Sequence, residues 1–471
     1  MNFKAIAYYL SLLCFPIGFL SFVNILYSLY FDYFLSVDLY FITLLVSIIF
    51  SIILFFFGRR AEKKLNFFDQ ISLIIFTYLS ISIFISIPYY FSNYQLTLIN
   101  SLFESFSGVT LTGFTIFNNI KYLDPTLILW RSSSQWIGGL YFLIFLLMIF
   151  TSKQFNYKLT YLVYNTTETN NESAIKSNIL KIFLIYSSLT FLIFLLLSFF
   201  DIRLFNALNL CMTLISTGGF LPTNSLDQII INNKQEFIFI FLLFMPLFNF
   251  FLIFNIFSQK KFFESHQEDL FLFFILIIFT LILVLAVKDI KFHSAVLSVL
   301  SSLSNSGLYL EKIPETLNLY FLLLAIIGGS IISNTSGIKF MRFYILIKSS
   351  IAEILKLVRP NNVINQNILY SNKKLVTEDI RVAFLIFVMF FASLFLLSGF
   401  LILDSIDFKS SFTLSILTLT NTVNSELYGN ANIDFSNLLT SSKIFLIIFM
   451  IVAKIELLSF FLIIKKLLFK N

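Results

Sequence analysis

The run Glu104–Thr115, ESFSGVTLTGFT, decides how the rest of the chain is read. It is a polar string of Ser, Thr and Gly between two strongly apolar segments, Phe76–Tyr90 and Leu127–Phe150. Hydrophobic residues make up 58% of the chain and charged residues 12%, against roughly 25% charged in ordinary soluble domains. A chain of 471 residues cannot hide that much apolar surface from water, so it reads as a polytopic membrane protein. Non-helical backbone survives at membrane depth only where protein buries it or where it lines a water-filled path, because unpaired peptide groups are costly in lipid. Thr112-Gly113-Phe114, at the end of a short amphipathic stretch, therefore fits a re-entrant loop that offers backbone carbonyls to a passing ion. An extracellular Ser/Thr-rich loop fits this one stretch as well, and what separates the two readings is recurrence.

Two apolar stretches lead the chain, Ala5–Leu26 and Val37–Phe57, followed by a basic turn, Gly58–Gln70. Ile71–Tyr90, the loop through Gly113 and Leu127–Phe150 then form a helix–loop–helix unit. The unit recurs as Ile179–Phe200, Phe205–Ser225 and Phe237–Phe257, then as Leu270–Val287, Phe292–Leu310 and Leu319–Leu346. A last copy reads Val382–Leu403, Phe412–Asn430 and Ile444–Phe469. A span needs about 20 apolar residues. The expected fold is an all-α polytopic membrane protein of about ten spans, with internal repeats of the kind found in transport proteins. Two leading helices occupy residues 1–58, and the repeats occupy 66–152, 172–258, 268–350 and 378–471 around one pore. Set against one another, the repeats place Thr112-Gly113-Phe114, Thr217-Gly218-Gly219, Ser306-Gly307-Leu308 and Val423-Asn424-Ser425 at equivalent positions.

Charge supports a topology. With a cytoplasmic N-terminus, the cytoplasmic loops hold Arg59, Arg60, Lys63, Lys64, Lys153, Lys158, Lys348, Lys356 and Arg359, and the C-terminal Lys465, Lys466 and Lys470 join them. The side that holds the re-entrant loops has fewer bases, among them Lys121, Arg131, Arg203 and Lys312. That bias has the sign of the positive-inside rule, so both termini are expected inside. The net charge of +7 is read through topology and not through nucleic-acid binding. The N-terminal apolar stretch exceeds a signal-peptide core of ~7–15 residues and reads as a retained helix. Cys14 and Cys211 lie far apart in apolar surroundings, and His266 and His293 belong to no metal-type cluster. An enzyme would show clustered acids, or a nucleophile beside a base; here the acids are scattered. No GxxxxGK[ST] loop is present, so the chain is not expected to hydrolyse ATP, and no cofactor is expected.

Six stretches in register resemble the TrkH/KtrB (Trk/Ktr/HKT) superfamily of potassium-uptake membrane subunits: FESFSGVTLTGFT (103–115), LWRSSSQWIGGL (129–140), ISTGGF (215–220), IIGGSIISNTSGIKFMR (326–342), EILKLVRPNNV (353–363) and AKIELL (453–458). The two leading helices resemble the TrkH branch. The resemblance implies a K⁺ pathway across the cytoplasmic (inner) membrane with one filter glycine per loop. It also implies a homodimer and a cytosolic TrkA-like nucleotide-binding regulatory protein as partner. Carried over, the filter positions are Gly113, Gly218, Gly307 and Asn424, where the family has Gly. The ligands would be carbonyls of Thr112, Gly113, Thr217, Gly218, Ser306, Gly307 and Val423. The first three triplets hold no carboxylate, which suits a monovalent ion better than a divalent one. Asn424 either modifies the filter or keeps its backbone and points away; a Na⁺-permeable or weakly selective cation channel is the alternative it raises.

Three further features bear on mechanism. The segment Gly328–Gly337, GGSIISNTSG, breaks an apolar helix; it reads as a hinge or as close helix packing through small residues. The resemblance makes it an intramembrane gating loop that includes Gly328, Gly329, Ser333, Asn334, Thr335 and Gly337. Lys454, followed by Glu456, lies in the final span and must face protein or water. It is either a cationic brake below the filter, at a position where the family has Arg, or one half of an ion pair. Glu104 is expected to bond local backbone or hydroxyls, Trp130 beside Arg131 to pack or to anchor at the interface, and Glu426 to sit at the mouth or in solvent. The basic loops Gly58–Asp69, Thr151–Lys176 and Lys348–Asp379 are the docking surface that the resemblance implies for a regulator.

Overall fold

Helices α1 (Phe3–Tyr30) and α2 (Phe34–Gly58) open the chain and pack against each other along their lengths. Their apolar residues run all the way round, as expected of helices that bury one side in protein and give the other to lipid. Phe15, Phe19, Ile49, Ile53 and Phe56 are exposed, whereas Ser21, Asn24, Ser28 and Ser47 are buried. The polar residues thus turn inward and the large apolar ones outward, the reverse of a soluble protein. In this computed structural model the described residues are 2–150, 172–252, 266–287, 290–358, 367, 375, 377–429 and 433–455. They hold fifteen α-helices. The expectations placed on 151–171, 359–366 and 456–471, which include Glu456 and part of the basic docking loops, fall outside them.

After α2 the same sequence of elements appears four times. Long helix α3 (Phe67–Phe91) leads to short helix α4 (Leu98–Val109), a loop and return helix α5 (Pro125–Phe150). Then come α6 (Glu172–Phe199), short α7 (Leu204–Ser216) and α8 (Asn233–Leu247). The third copy has α9 (Gln267–Ala286), short α10 (Phe292–Leu303), and a return helix split into α11 (Asn318–Ile327) and α12 (Phe340–Val358). The fourth has α13 (Thr377–Leu403), short α14 (Phe408–Leu419) and α15 (Thr440–Lys454). Side chains fix several of the starts: the Thr97 hydroxyl accepts from Asn100 N before α4, and the Asp407 carboxylate from Ser410 N before α14.

Among the described residues, seven helices are long and apolar enough to cross a membrane unaided. Return helices α8 and α11–α12 are interrupted. The expected span Phe237–Phe257 ends at Leu247 because its next turn bonds elsewhere: the Leu247 carbonyl accepts from Ser330 N, Phe250 N donates to Ile332 O, and Asn249 N donates to Asp269 Oδ1. The breaks in α8 and in α11–α12 therefore satisfy one another's backbone groups at membrane depth.

Return helix α5 has nearly its whole length buried, unlike lipid-facing α2. It carries Trp130, Arg131 and Gln135 into the centre, where all three are buried. Trp130 donates its indole N–H to Ile85 O at 3.1 Å, so it is a packing residue and not an interfacial anchor. Arg131, counted above among the bases of the outer side, pairs with Glu104 in the interior and carries no topological information.

Candidate functional site: a ring of four re-entrant loops

Each short helix ends in the same turn. In the first repeat Thr112 N and Gly113 N donate to Ser107 O, with Leu111 left-handed at φ +66°. In the third, Ser306 N and Gly307 N donate to Ser301 O, with Asn305 at φ +63°. Gly218 N donates to Thr213 O with Thr217 at φ +61°, and Thr422 N to Leu417 O with Asn421 at φ +44°. These shared bonds fix the register: 112, 218, 306 and 422 are equivalent, and so are 113, 219, 307 and 423.

The sequence-based alignment was therefore one residue off in two repeats. The second-repeat partner of Gly113 is Gly219 and not Gly218, and Thr217 occupies the left-handed turn beneath. In the fourth repeat the glycine position holds Val423, and Asn424 lies one place beyond, level with Phe114. Gly113, Gly219 and Gly307 have φ of +69°, +70° and +62°, a region that side chains disfavour; Val423 does not adopt it. The signal that fixes the register was present as hydroxyls two apart: Thr110 with Thr112 at 2.9 Å, Ser304 with Ser306 at 3.0 Å, and Thr420 with Thr422 at 2.7 Å. The pattern is Thr/Ser-x-Thr/Ser followed by the glycine position, and only the second repeat, Ser216-Thr217-Gly218-Gly219, lacks the second hydroxyl.

The four loops close on one another. A Cβ on Gly113 would lie 2.6 Å from Gly218 O, one on Gly219 2.4 Å from Ser306 O, and one on Gly307 2.9 Å from Val423 O. The amide of Asn421 completes the circuit by donating to Thr112 Oγ1 at 3.0 Å. Asn305 likewise ties the third loop to the fourth through Thr422 Oγ1 at 2.9 Å. Gln135 of α5 braces the second loop, donating to Gly218 O at 2.6 Å and accepting from Phe220 N at 3.1 Å. The short helices end at this ring, so each turns the negative end of its dipole, roughly half an elementary charge, toward it. Carbonyls in a closed circle, with no acid among them, make an environment for a weakly hydrated cation.

Glu104 anchors the first loop just past the ring. Its carboxylate accepts from Ile116 N at 2.9 Å, from the Thr115 hydroxyl at 3.1 Å and from Arg131 Nε at 2.9 Å. The Arg131 guanidinium also stands 4.2 Å from the Phe220 ring centre, which joins the first and second loops. Glu426, beyond the fourth loop, sits 3.5 Å from Lys312 and is partly exposed.

Against the lower turns of the second and third loops lies the non-helical segment 328–339. All six residues expected to form a gate, Gly328, Gly329, Ser333, Asn334, Thr335 and Gly337, fall in it, between the ends of α11 and α12. It is not a close-packed helix. Asn334 donates to Ile215 O at 2.6 Å, and Ser336 N donates to Asn305 Oδ1 at 3.0 Å. Ile331 N donates to Glu268 Oε1 at 2.9 Å. Lys454 donates to Ser336 Oγ at 3.1 Å and lies 4.1 Å from the Phe142 ring centre. Lys339, which sequence reading did not single out, is buried with its ammonium among Ser330 O, Ser333 O and Thr335 O. It supplies donors to carbonyls that no helix satisfies. A lysine two places after a glycine-flanked polar break was the available signal.

No family model matches the chain. Among curated proteins it is 28% identical over 417 residues to an uncharacterized cation transporter of Methanocaldococcus jannaschii, covering 85% of this chain and 84% of the relative. It is 26% identical over 402 residues to the Trk system potassium uptake protein TrkH of Escherichia coli K12, covering 80% and 82%. The crystal structure of the potassium transporter TrkH from Vibrio parahaemolyticus superposes with a TM-score of 0.88 at 20% identity, over 98% of each chain. The chain shares the fold of that structure and is similar in sequence to these transporters over most of its length. Its relatives are named for cation transport and potassium uptake, not for catalysis.

Proposed function

We propose that this TrkH-like chain translocates K⁺ across the cytoplasmic membrane through the ring of four loops. The observation that carries the reading is the closure of the loops into a single circuit of carbonyls at the ends of four short helices. Carbonyls at 112, 218, 306 and 422 and at the four following positions replace the water of a monovalent cation. The units 66–152, 172–258, 268–350 and 378–471 are the four quarters of the pore. Segment 328–337 is its gate, and Lys454 is a cationic brake beside it. Both termini face the cytoplasm. A cytosolic nucleotide-binding regulatory protein and a second copy of the chain complete the assembly.

A weakly selective monovalent pathway is the second reading, favoured by the non-glycine residue in the fourth loop. Rubidium uptake into proteoliposomes, with K⁺ and Na⁺ as competitors, tests both. Inhibition by K⁺ alone supports the first reading, and equal inhibition by Na⁺ supports the second. Absence of uptake, with or without a nucleotide-binding partner, overturns both.

A further inference from the structure

Val423 breaks the rule of its ring, and its side chain goes where the others have none. Its Cγ2 lies 2.4 Å from where a Cβ on Gly113 would stand and 2.3 Å from where one on Gly219 would stand. A Cβ on Gly307 would lie 3.1 Å from Val423 Cβ. The loops follow one another in chain order around the circuit, so the second loop faces the fourth across it. A methyl group that starts on the fourth loop and reaches Gly219 has crossed the axis. The side chain is buried and β-branched, and its χ1 has little freedom to swing aside.

We propose that Val423 is the constriction of the pathway, its isopropyl group standing in the ion's path at the level of the three glycines. This rests on the ring being a cation path. An ion that sheds water at this level needs oxygen ligands in return, and a methyl group offers none. Passage requires that the side chain be displaced. That barrier grows with ionic radius, so K⁺ and Rb⁺ pass slowly and Cs⁺ more slowly still. Three glycines at the equivalent positions leave the rest of the circuit open, which makes this one side chain the step that sets both rate and size limit.

The test compares Rb⁺ and Cs⁺ uptake into proteoliposomes by the wild-type chain, Val423→Ala and Val423→Gly, with the K⁺-dependent thermal midpoint of each purified protein as a second readout. The expected result is a graded rise in Rb⁺ uptake, about tenfold for the glycine variant, equivalent to ~1.4 kcal/mol of barrier. The Cs⁺/Rb⁺ ratio rises with it, and K⁺ stabilises the glycine variant more than the wild type. The alanine variant keeps a Cβ and makes the smaller perturbation should glycine impair folding. Wild-type rates and an unchanged Cs⁺/Rb⁺ ratio in both folded variants would overturn the constriction while leaving the transport reading intact. No uptake by any of the three, together with thermal midpoints indifferent to K⁺, would overturn the transport reading and the constriction with it.

Discussion

Glu104 and Arg131 are both almost fully buried, 2.9 Å apart, in a protein whose other interior polar residues are mostly hydroxyls and amides. Their value is positional. Glu104 pins Thr115 and Ile116 as the chain leaves the first loop, while Arg131 spans from Glu104 to Thr115 Oγ1 at 3.0 Å and to the face of Phe220. Removing one member leaves a buried charge unpaired, which costs about 3–5 kcal/mol. Arg131→Met should therefore lower the thermal midpoint in detergent sharply. The double variant Glu104→Gln, Arg131→Met should recover part of the loss. Arg131→Lys should not restore the wild-type midpoint, since an ammonium cannot reach both partners with a planar fork. Glu104 was legible as a residue bonding local backbone and hydroxyls. Its arginine was not, because the two are 27 residues apart and meet only once α5 returns beside α4. The register of Gly218 and Asn424 was missed for a related reason. Ser216-Thr217-Gly218-Gly219 offers two glycines and lacks the second hydroxyl of the other repeats, so there the bond from Gly218 N to Thr213 O decides which position faces the axis.

At the scale of elements, the break at 328–339 was readable because glycines at both ends of a polar string cannot hide inside a continuous apolar helix. The matching break at Leu247 was less so: Pro246 and Asn249 mark it within an otherwise apolar Phe237–Phe257, but the partners that take up its backbone groups lie in the neighbouring segment. The two breaks share hydrogen bonds, so they should respond together. Asn334→Ala removes the 2.6 Å bond to Ile215 O that ties the segment to the second loop. It should raise Rb⁺ uptake several-fold and speed hydrogen exchange at Phe250 and Ser330 alike. Lys454→Met removes the charge beside Ser336 and should also raise uptake, whereas Lys454→Arg should leave it near the wild-type rate. Uptake assays on the three variants, normalised to reconstituted protein, separate these outcomes. A fall in uptake for Lys454→Met would show that the lysine supports the path and does not obstruct it.

For the whole molecule, stability depends on links between the helix ends of one repeat as well as on those between repeats at the ring. Asp404, just past α13, accepts from the Ser441 and Ser442 hydroxyls at the start of α15, each at 2.6 Å. Those bonds hold its carboxyl below the usual aspartate range. A carboxylate lowered on folding stabilises the protein above its unfolded pKa of about 3.9, and that contribution is lost as pH falls through the folded value. The thermal midpoint should therefore drop more steeply below about pH 4 in the wild type than in Asp404→Asn. Equal slopes would place the acid sensitivity elsewhere. The all-helical polytopic plan, the fourfold recurrence of one unit and the inward turn of the polar loops were legible in the sequence because each follows from keeping peptide groups out of lipid. Which loop touches which was not, because those choices are made by single amides such as Asn305 and Asn421 across long stretches of chain.

The bond from Asn421 to Thr112 spans 309 residues, and it carries a consequence for biogenesis. A ribosome delivers the repeats in order, so the first loop enters the bilayer long before its last neighbour exists. Until the fourth quarter arrives, a row of carbonyls waits in a gap with no protein on one side. The nascent chain must shelter that gap with water, lipid headgroups or an insertion chaperone. Truncation anywhere before α14 should thus yield a species that membrane proteases recognise, however intact its earlier helices are.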